Sequence, residues 1–350
     1  MRVLCLLDSV VRPGDRWLWD YLPPNDDEVD LVWVTAPDWF PKWGKLLTYY
    51  PVYVWLALRA LVRTSRKHYD VIVAWEGKNG FPLALIRALL GLRRPRMVIL
   101  AYSHRGLVRH FPMLAQFALQ SVDCIAVTSE WEAEHYGESL GLGQSRVSFC
   151  PLGWYDSGQL EVGSRTSPGD RFVFASGRSY RDYATLAAAV RGLECRVVVN
   201  ARKFSVRGIQ FPPQVEVNDL LPAPEFWRLL ARSWFVVVPL VDVPHAAGDS
   251  HIVQAMAAGK AVIATQGPSA ETYVEDGVTG LLVPPRDPNR LREAMRCLLD
   301  HPEEAERMGR NARRRYEEQH TFEAFARRTR ALLRTVCDGP SPSCRDSLAA

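Results

Sequence analysis

Short apolar runs alternate with longer amphipathic segments along most of this 350-residue chain. The runs are continuous rather than alternating, as expected for strands buried on both faces of a parallel sheet. The segments between them have helical periodicity and predict helices that cover the sheet. The predicted strands are Val3–Leu7, Val29–Thr35, Val71–Trp75, Met97–Tyr102, Cys124–Thr128, Arg146–Cys150, Phe172–Ser176, Arg196–Asn200, Val215–Val217, Trp234–Pro239, Ala261–Thr265 and Gly280–Val283.

A polar stretch at 162–169, VGSRTSPG, interrupts this alternation, which restarts beyond it. Gly, Pro and Ser are typical of a linker. The sequence therefore predicts an α/β protein of two Rossmann-like domains that face each other across a cleft. Ligands in such sheets lie at the carboxyl ends of the strands. The predicted parts are an N-terminal Rossmann-like domain at 1–162, a C-terminal Rossmann-like domain at 170–300, C-terminal helices at 301–335 and a disordered tail at 338–350.

The composition indicates which binding partners and which cellular compartment to expect. The net charge of +4 is mild, which argues against nucleic acid and suits an anionic ligand such as a diphosphate. The seven cysteines are scattered, without a C-x-x-C pair, and indicate a reducing compartment. The N-terminus opens on the first strand, and no apolar run is long enough to span a bilayer. We therefore expect a cytoplasmic protein.

The segment 245–288 is the richest in chemistry. Gly248 and Asp249 predict a turn, and Asp249 or Ser250 can cap a helix that begins at His251. A loop that enters a helix N-terminus offers free N–H groups and the positive end of a dipole, which suits a diphosphate. Gln254 is the polar exception in an otherwise apolar helix.

The motifs that follow carry a family resemblance. QAMAAGKAVIAT (254–265) and GPSAETYVEDGVTGLLVPPRDP (267–288) resemble the donor-binding core of retaining glycosyltransferases of family 4, which have the glycosyltransferase-B fold. Gly267–Glu271, Asp276–Gly280 and Val283–Pro285 match the family pattern in order and spacing. PLGWYD (151–156) and SGRSYRDYATL (176–186) are weaker similarities. The resemblance implies a nucleotide diphosphate sugar as donor.

Two residues depart from the family, whose paired glutamates fall on Ala246 and Gln254. The second glutamate grips the ribose hydroxyls in the family, and the Gln254 amide can still do so. The first contacts the transferred sugar, which alanine cannot replace. Asp249, Ser250 or His245 can reach the same place. The residues expected to bind the donor are Gly177, His245, Gly248, Asp249, Ser250, His251, Gln254 and Glu271.

The resemblance also implies catalytic cations. The family places an Arg and a Lys after the strand at Phe172–Ser176, where this chain has Arg178 and Arg181. A preorganised cation stabilises the charge that develops on the departing diphosphate. A surface ion pair with Asp182 is the alternative interpretation. Because no D-x-D motif occurs, the arginines are expected to do this work without a metal, and no cofactor is expected.

Candidates on the acceptor side come from loops of the first half. His104, in AYSHRG (101–106), occupies a position where the family often has a histidine beside the sugar; a structural histidine is the alternative. Lys78 lies in a predicted loop at 77–81, GKNGF, Glu76 comes directly before it, and Gly14 lies in RPGD (12–15). Ordinary turns between strand and helix explain these two segments equally well.

Aromatic and basic residues alternate through 39–67. This pattern suits a peripheral membrane contact or a hydrophobic acceptor, and core packing beneath a solvated basic face explains it equally well. The function predicted from the sequence is a retaining, metal-independent transfer of a sugar to a hydroxyl of a glycan, lipid or small molecule. A non-catalytic nucleotide-sugar-binding homologue and a nucleotide-sugar epimerase are the alternatives.

Overall fold

The structure is a computed structural model that describes residues 1–8, 14–34, 45–103, 110–155 and 171–339, with no side chains described at 45–50. It forms two compact units. The first contains residues 1–151 and the chain from Phe325 onward, and the second contains Leu152–Ala324. The helices predicted at 301–335 therefore divide between the units. The predicted linker at 162–169 and all but the first two residues of the predicted tail at 338–350 lie outside the described residues.

The first unit is a six-stranded parallel sheet in the order β2-β1-β3-β4-β5-β6. Apolar side chains of the sheet and its helices form one core beneath the helices that follow β2 to β5. The strands are β1 (Arg2–Leu7), β2 (Glu28–Trp33), β3 (Val71–Trp75), β4 (Arg96–Leu100), β5 (Cys124–Val127) and β6 (Val147–Phe149). The helices are α1 (Lys45–Arg66), α2 (Glu76–Leu89), α3 (Pro112–Leu119) and α4 (Glu130–Ser139).

The second unit repeats this architecture, with the strand order β12-β11-β10-β7-β8-β9. Its strands are β7 (Phe172–Ser176), β8 (Arg196–Asn200), β9 (Val215–Asn218), β10 (Val236–Val238), β11 (Val262–Thr265) and β12 (Gly280–Val283). Its helices are α5 (Tyr183–Val190), α6 (Ala223–Arg232), α7 (Asp249–Ala257), α8 (Pro268–Tyr273), α9 (Pro288–Asp300) and α10 (Pro302–Arg315). A π-helical turn (Tyr316–His320) leads towards α11 (Phe322–Asp338).

The strands predicted from the apolar runs are all present, with ends shifted by at most two residues. One predicted loop is wrong: residues 77–81 form the first turns of α2. Glu76 takes a left-handed conformation (φ +63°) and turns the chain from β3 directly into the helix. Gly80 then lets α2 pack closely on β4, because a Cβ there would lie 2.8 Å from Ile99.

Helix α11 is tied to the first sheet by a buried carboxylate. The Asp27 side chain is 2% exposed and accepts hydrogen bonds from Arg330 Nε (2.6 Å), Trp19 Nε1 (3.1 Å) and the amino group of Met1 (3.3 Å). Burial alone would raise the pKa of Asp27, but these donors outweigh it and hold the pKa below its ordinary value. The carboxylate is therefore ionised and depends on Arg330 for neutralisation.

We expect Arg330→Met to destabilise the first unit by about 3 kcal/mol, because it leaves a buried carboxylate with only the more distant amino group of Met1, at 3.3 Å, to neutralise it. Urea unfolding followed by tryptophan fluorescence measures this loss. Arg327→Met, at an exposed position of the same helix, is the control and should change stability by less than about 0.5 kcal/mol. Equal stability of the two variants would contradict the role given to Asp27.

Candidate active site

Each sheet has a topological switch point. In the second unit, the chain passes from β7 to β8 and β9 on one side and then returns to place β10 on the other side of β7. Ligands in open α/β sheets bind at the carboxyl ends of the two strands that flank such a point. The loops that follow β7 and β10, together with helix α7 that the second loop enters, contain all of the residues predicted to bind the donor except Glu271.

These two loops are joined through their backbones. Val241 N donates to Tyr180 O (3.1 Å), and Asp182 N donates to Pro239 O (3.0 Å). The rings of Tyr180 and His245 meet edge to face, with their centroids 4.6 Å apart. The segment 177–181 is therefore held against the segment that leads into α7.

The first loop fixes the two predicted arginines differently. Arg181 folds back on the loop, with Nε donating to Ser176 O and Nη1 to Ser179 O, both at 2.9 Å. Gly177 makes room for it, since at φ +142° a Cβ would lie 2.3 Å from Arg181 Nε. The Arg178 side chain is exposed. Arg181 is thus a positioned cation and Arg178 one that faces solvent.

Asp182 has a capping role. Its Oδ1 accepts from Thr185 N (3.0 Å) and its Oδ2 from Thr185 Oγ1 (2.7 Å), at the start of α5. Both oxygens are thus used to begin the helix. This geometry favours a structural role for Asp182 over the surface ion pair considered from the sequence.

Helix α7 begins at Asp249, two residues before the predicted start at His251. The predicted side-chain cap is wrong: Gly248 occupies the N-cap at φ +85°, and its carbonyl accepts from His251 N and Ile252 N, both at 3.0 Å. The Asp249 carboxylate accepts from Ser250 N (3.0 Å). One of the N–H groups expected to face a diphosphate is therefore already bound to a carboxylate.

Two predicted donor-binding histidines are buried. His251 is 4% exposed and packs against the rings of Phe174 and Phe226. Burial, and secondly the positive charge of Arg181, lower the pKa of His251 to about 3, although a hydrogen bond with Gln254 opposes the shift. His251 is therefore neutral at pH 7. His245 is 3% exposed.

The remaining donor-side residues lie in different environments. Ala246, at the position of the family's first glutamate, is 2% exposed, so its methyl group packs inside the unit. Gln254 is half-buried, and Ser250 is partly exposed. Glu271 is exposed in the first turn of α8, whose N-cap is Gly267.

The first unit has its own charged cluster at the switch point between β1 and β3. Lys78 Nζ lies 2.6 Å from Asp8 Oδ2 and 2.9 Å from Glu76 Oε2. Asn79 Nδ2 donates to Asp8 Oδ1 (3.1 Å). Desolvation opposes ionisation of Lys78, but Glu76 and Asp8 together hold its pKa above the ordinary value.

Asp8 is a site residue that the sequence analysis missed. One feature of the sequence could have identified it: Asp8 is the first polar residue after the apolar run of β1, at the carboxyl end of a strand. Gly14 is exposed, in a left-handed conformation (φ +92°), with no atom within 4 Å of the position of a Cβ. His104 lies outside the described residues.

The described parts of the chain contain no group of three His, Cys, Asp or Glu side chains arranged to hold a metal ion. A search of the same residues finds no helix that is long and apolar enough to cross a membrane.

Comparison with known proteins finds a family and a relative that this chain resembles in sequence. Residues 212–315 match the family described as Glycosyl transferases group 1. A D-rhamnosyltransferase, WbpZ, from Pseudomonas aeruginosa is 32% identical over 267 residues, which cover 68% of this chain and 66% of that protein. The aligned part thus spans about two thirds of that relative's length.

Solved structures show the same fold. Sucrose-phosphate synthase from Thermosynechococcus elongatus has a TM-score of 0.73 at 19% identity, covering 95% of this chain and 98% of its own. Anabaena HepE in complex with UDP has a TM-score of 0.68 at 16% identity, covering 95% and 100%.

The two parallel six-stranded sheets with their helices have the glycosyltransferase-B fold, which confirms the predicted fold class. The chain belongs to the group 1 glycosyltransferases.

The buried neutral His251 should make stability depend on pH. The unfolded chain takes up a proton at this side chain near pH 6.5, whereas the folded chain does so only near pH 3. The free energy of unfolding should therefore fall as the pH drops through this range. His251 contributes about 1.4 kcal/mol per pH unit to this loss of stability. His251→Phe keeps a ring against Phe174 and should flatten that slope in urea unfolding between about pH 4 and 6.

The matched control is His301→Phe, at an exposed histidine of the same unit. It should leave the slope as in the unsubstituted protein. A slope unchanged in His251→Phe would show that His251 can be protonated in the folded state.

Proposed function

We propose that this glycosyltransferase moves a sugar from a nucleotide diphosphate to an acceptor hydroxyl, with retention, without a metal or other cofactor, and as a member of family 4. The observation that carries the proposal is the joining of the two loops at the switch point of the second sheet. This joining holds the segment that contains Arg181 and the exposed Arg178 against the loop that leads into α7. The residues proposed to bind the donor are those of the sequence analysis.

The two arginines suit the departing group. As the nucleoside diphosphate leaves, negative charge grows on its oxygens, and a cation already in place stabilises the transition state more than the ground state. Arg181 is positioned by two carbonyl oxygens, and Arg178 is exposed so that it can reach a ligand. Arginine offers paired donors that match phosphate geometry.

Retention is proposed to follow from front-side attack. The bond between the anomeric carbon and the phosphate oxygen breaks, and the acceptor oxygen bonds to that carbon on the same face. The acceptor's proton passes to the departing phosphate oxygen. Arg178 and Arg181 would lower the energy of the leaving group without removing its capacity to accept that proton.

The first unit is proposed to bind the acceptor. Asp8, Glu76 and Lys78 together carry one net negative charge, which suits donors of hydrogen bonds such as sugar hydroxyls rather than an anion. Lys78 and Asn79 fix the Asp8 carboxylate in one orientation. Gly14 and His104 complete the proposed acceptor residues.

A cytoplasmic location with peripheral membrane contact through residues 39–67 is also proposed, from the scattered cysteines and the basic aromatic segment. A non-catalytic homologue is the second candidate function. It is favoured by Gln254 and by the buried Ala246, which replace the family's acids.

Arg178→Ala should lower transfer at least about tenfold, the cost of one charge-assisted contact in the transition state. The assay measures release of nucleoside diphosphate, with and without acceptors. Its donors are UDP-hexoses, because a structural neighbour holds UDP, and D-rhamnose nucleotides, because a relative is named for that sugar.

Arg191→Ala, at the far end of α5, is the matched control and should retain full activity. Unchanged turnover in Arg178→Ala would remove Arg178 from the site. Donor binding without any turnover by the unsubstituted protein would support the non-catalytic homologue, and release of an isomerised sugar would support an epimerase.

Asp8→Asn should raise the acceptor KM several-fold to about tenfold while leaving donor hydrolysis in the absence of acceptor unchanged, because a fixed charged acceptor of hydrogen bonds is lost. Initial rates against acceptor concentration measure this split. Asp15→Asn, at an exposed position of the same unit, is the control. A loss confined to kcat, with KM unchanged, would contradict the acceptor role.

A further inference from the structure

Helix α1 has an apolar face that the unit does not bury. Tyr53, Leu56 and Ala57 point into the core and are at most 4% exposed. On the opposite side, one helical stripe consists of exposed apolar residues: Val54 (41%), Trp55 (53%), Leu58 (48%) and Val62 (49%). The stripe has the spacing of one helix face. Burial within the first unit does not account for it.

Two neighbouring segments also expose apolar side chains. Leu89 and Leu90, where α2 ends, are 68% and 63% exposed. Around the start of α3, Phe111 is 54% and Met113 83% exposed. Exposed apolar residues are ordinary when single, but several on adjacent helices mark an interaction surface.

The three helices lie on the same side of the sheet. They connect β2 to β3, β3 to β4 and β4 to β5, and each connection steps in the same direction through the strand order. Right-handed crossovers then place all three on one face. The contacts agree, since α2 packs against both α1 and α3. The exposed apolar residues therefore belong to one layer, which we call the three-helix layer.

Apart from Glu76, which pairs with Lys78 in the first turn of α2, the charges of this layer have one sign. Residues 39–69 and 77–122 contain no Asp or Glu, although they contain many Arg and Lys. Arg63 and Arg66 are exposed beside the apolar stripe, and Arg59 stacks on Trp55 with its guanidinium carbon 4.7 Å from the ring centroid. Helices of the second unit instead pair their charges, as in Arg290–Glu293 and Arg307–Glu304.

We propose that the three-helix layer docks on an anionic lipid bilayer. Apolar and aromatic side chains beside exposed basic residues match the boundary between acyl chains and negative head groups. A second copy of the chain fits less well, because it would bring two positively charged surfaces together. This proposal rests on the membrane contact proposed above for residues 39–67 and extends it to α2 and α3; it does not depend on the proposed transfer reaction.

Vesicle sedimentation tests the proposal on the full chain. The unsubstituted protein should sediment with vesicles containing about one third phosphatidylglycerol, weakly with phosphatidylcholine alone, and less as salt is raised. The double variant Trp55→Glu, Leu58→Glu should lower partitioning at least about tenfold, since it places carboxylates where apolar contact is needed. Arg63→Glu with Arg66→Glu should lower it only for the anionic vesicles.

Phe204→Glu is the matched control, because Phe204 is an exposed aromatic residue (67%) of the second unit. It should partition like the unsubstituted protein, and all variants should keep the same circular dichroism. Absence of binding to anionic vesicles at low salt, or equal binding by the Trp55 and Leu58 double variant, would overturn the proposal. A dimer in solution that this double variant splits would assign the surface to a second copy instead.

Discussion

The candidate donor site depends on two backbone hydrogen bonds, from Val241 to Tyr180 and from Asp182 to Pro239. They join two loops that lie about sixty residues apart in the chain but leave neighbouring strands of one sheet. Because backbone groups make the joint, it does not use the exposed side chain of Arg178. Gly177 and Gly248 permit this geometry. Each adopts a positive φ, and each lacks the Cβ that would meet a neighbouring side chain.

The two switch points have the same strand arrangement, but the charged side chains beside them have opposite net charge. The second sheet presents Arg178 and Arg181 where β7 ends, which suits an anion. The first sheet presents Asp8 and Glu76 around a single lysine where β1 and β3 end, which suits hydroxyl groups. This difference in charge is what supports a diphosphate donor on one unit and a neutral acceptor on the other.

The strands were predictable because a strand buried on both faces leaves a continuous apolar run, which few other structures produce. The loops were not, because their conformations depend on single φ angles. Glu76 turns the chain in a left-handed conformation that the sequence pattern does not disclose, so a loop was predicted where α2 begins. Asp8 was missed because its partners come from β3, and strand order cannot be read from an apolar run.

The replaced family acids have different structural consequences. Ala246 is buried, so a carboxylate at this position would be desolvated in the loop as folded. Gln254 hydrogen-bonds with the neutral His251, and a glutamate at 254 would instead stabilise the protonated imidazole. The amide therefore matches a histidine that stays neutral. His251, Gln254 and Arg181 are thus coupled at the start of α7: the positive charge of Arg181 and the Gln254 amide act on the same imidazole in opposite directions.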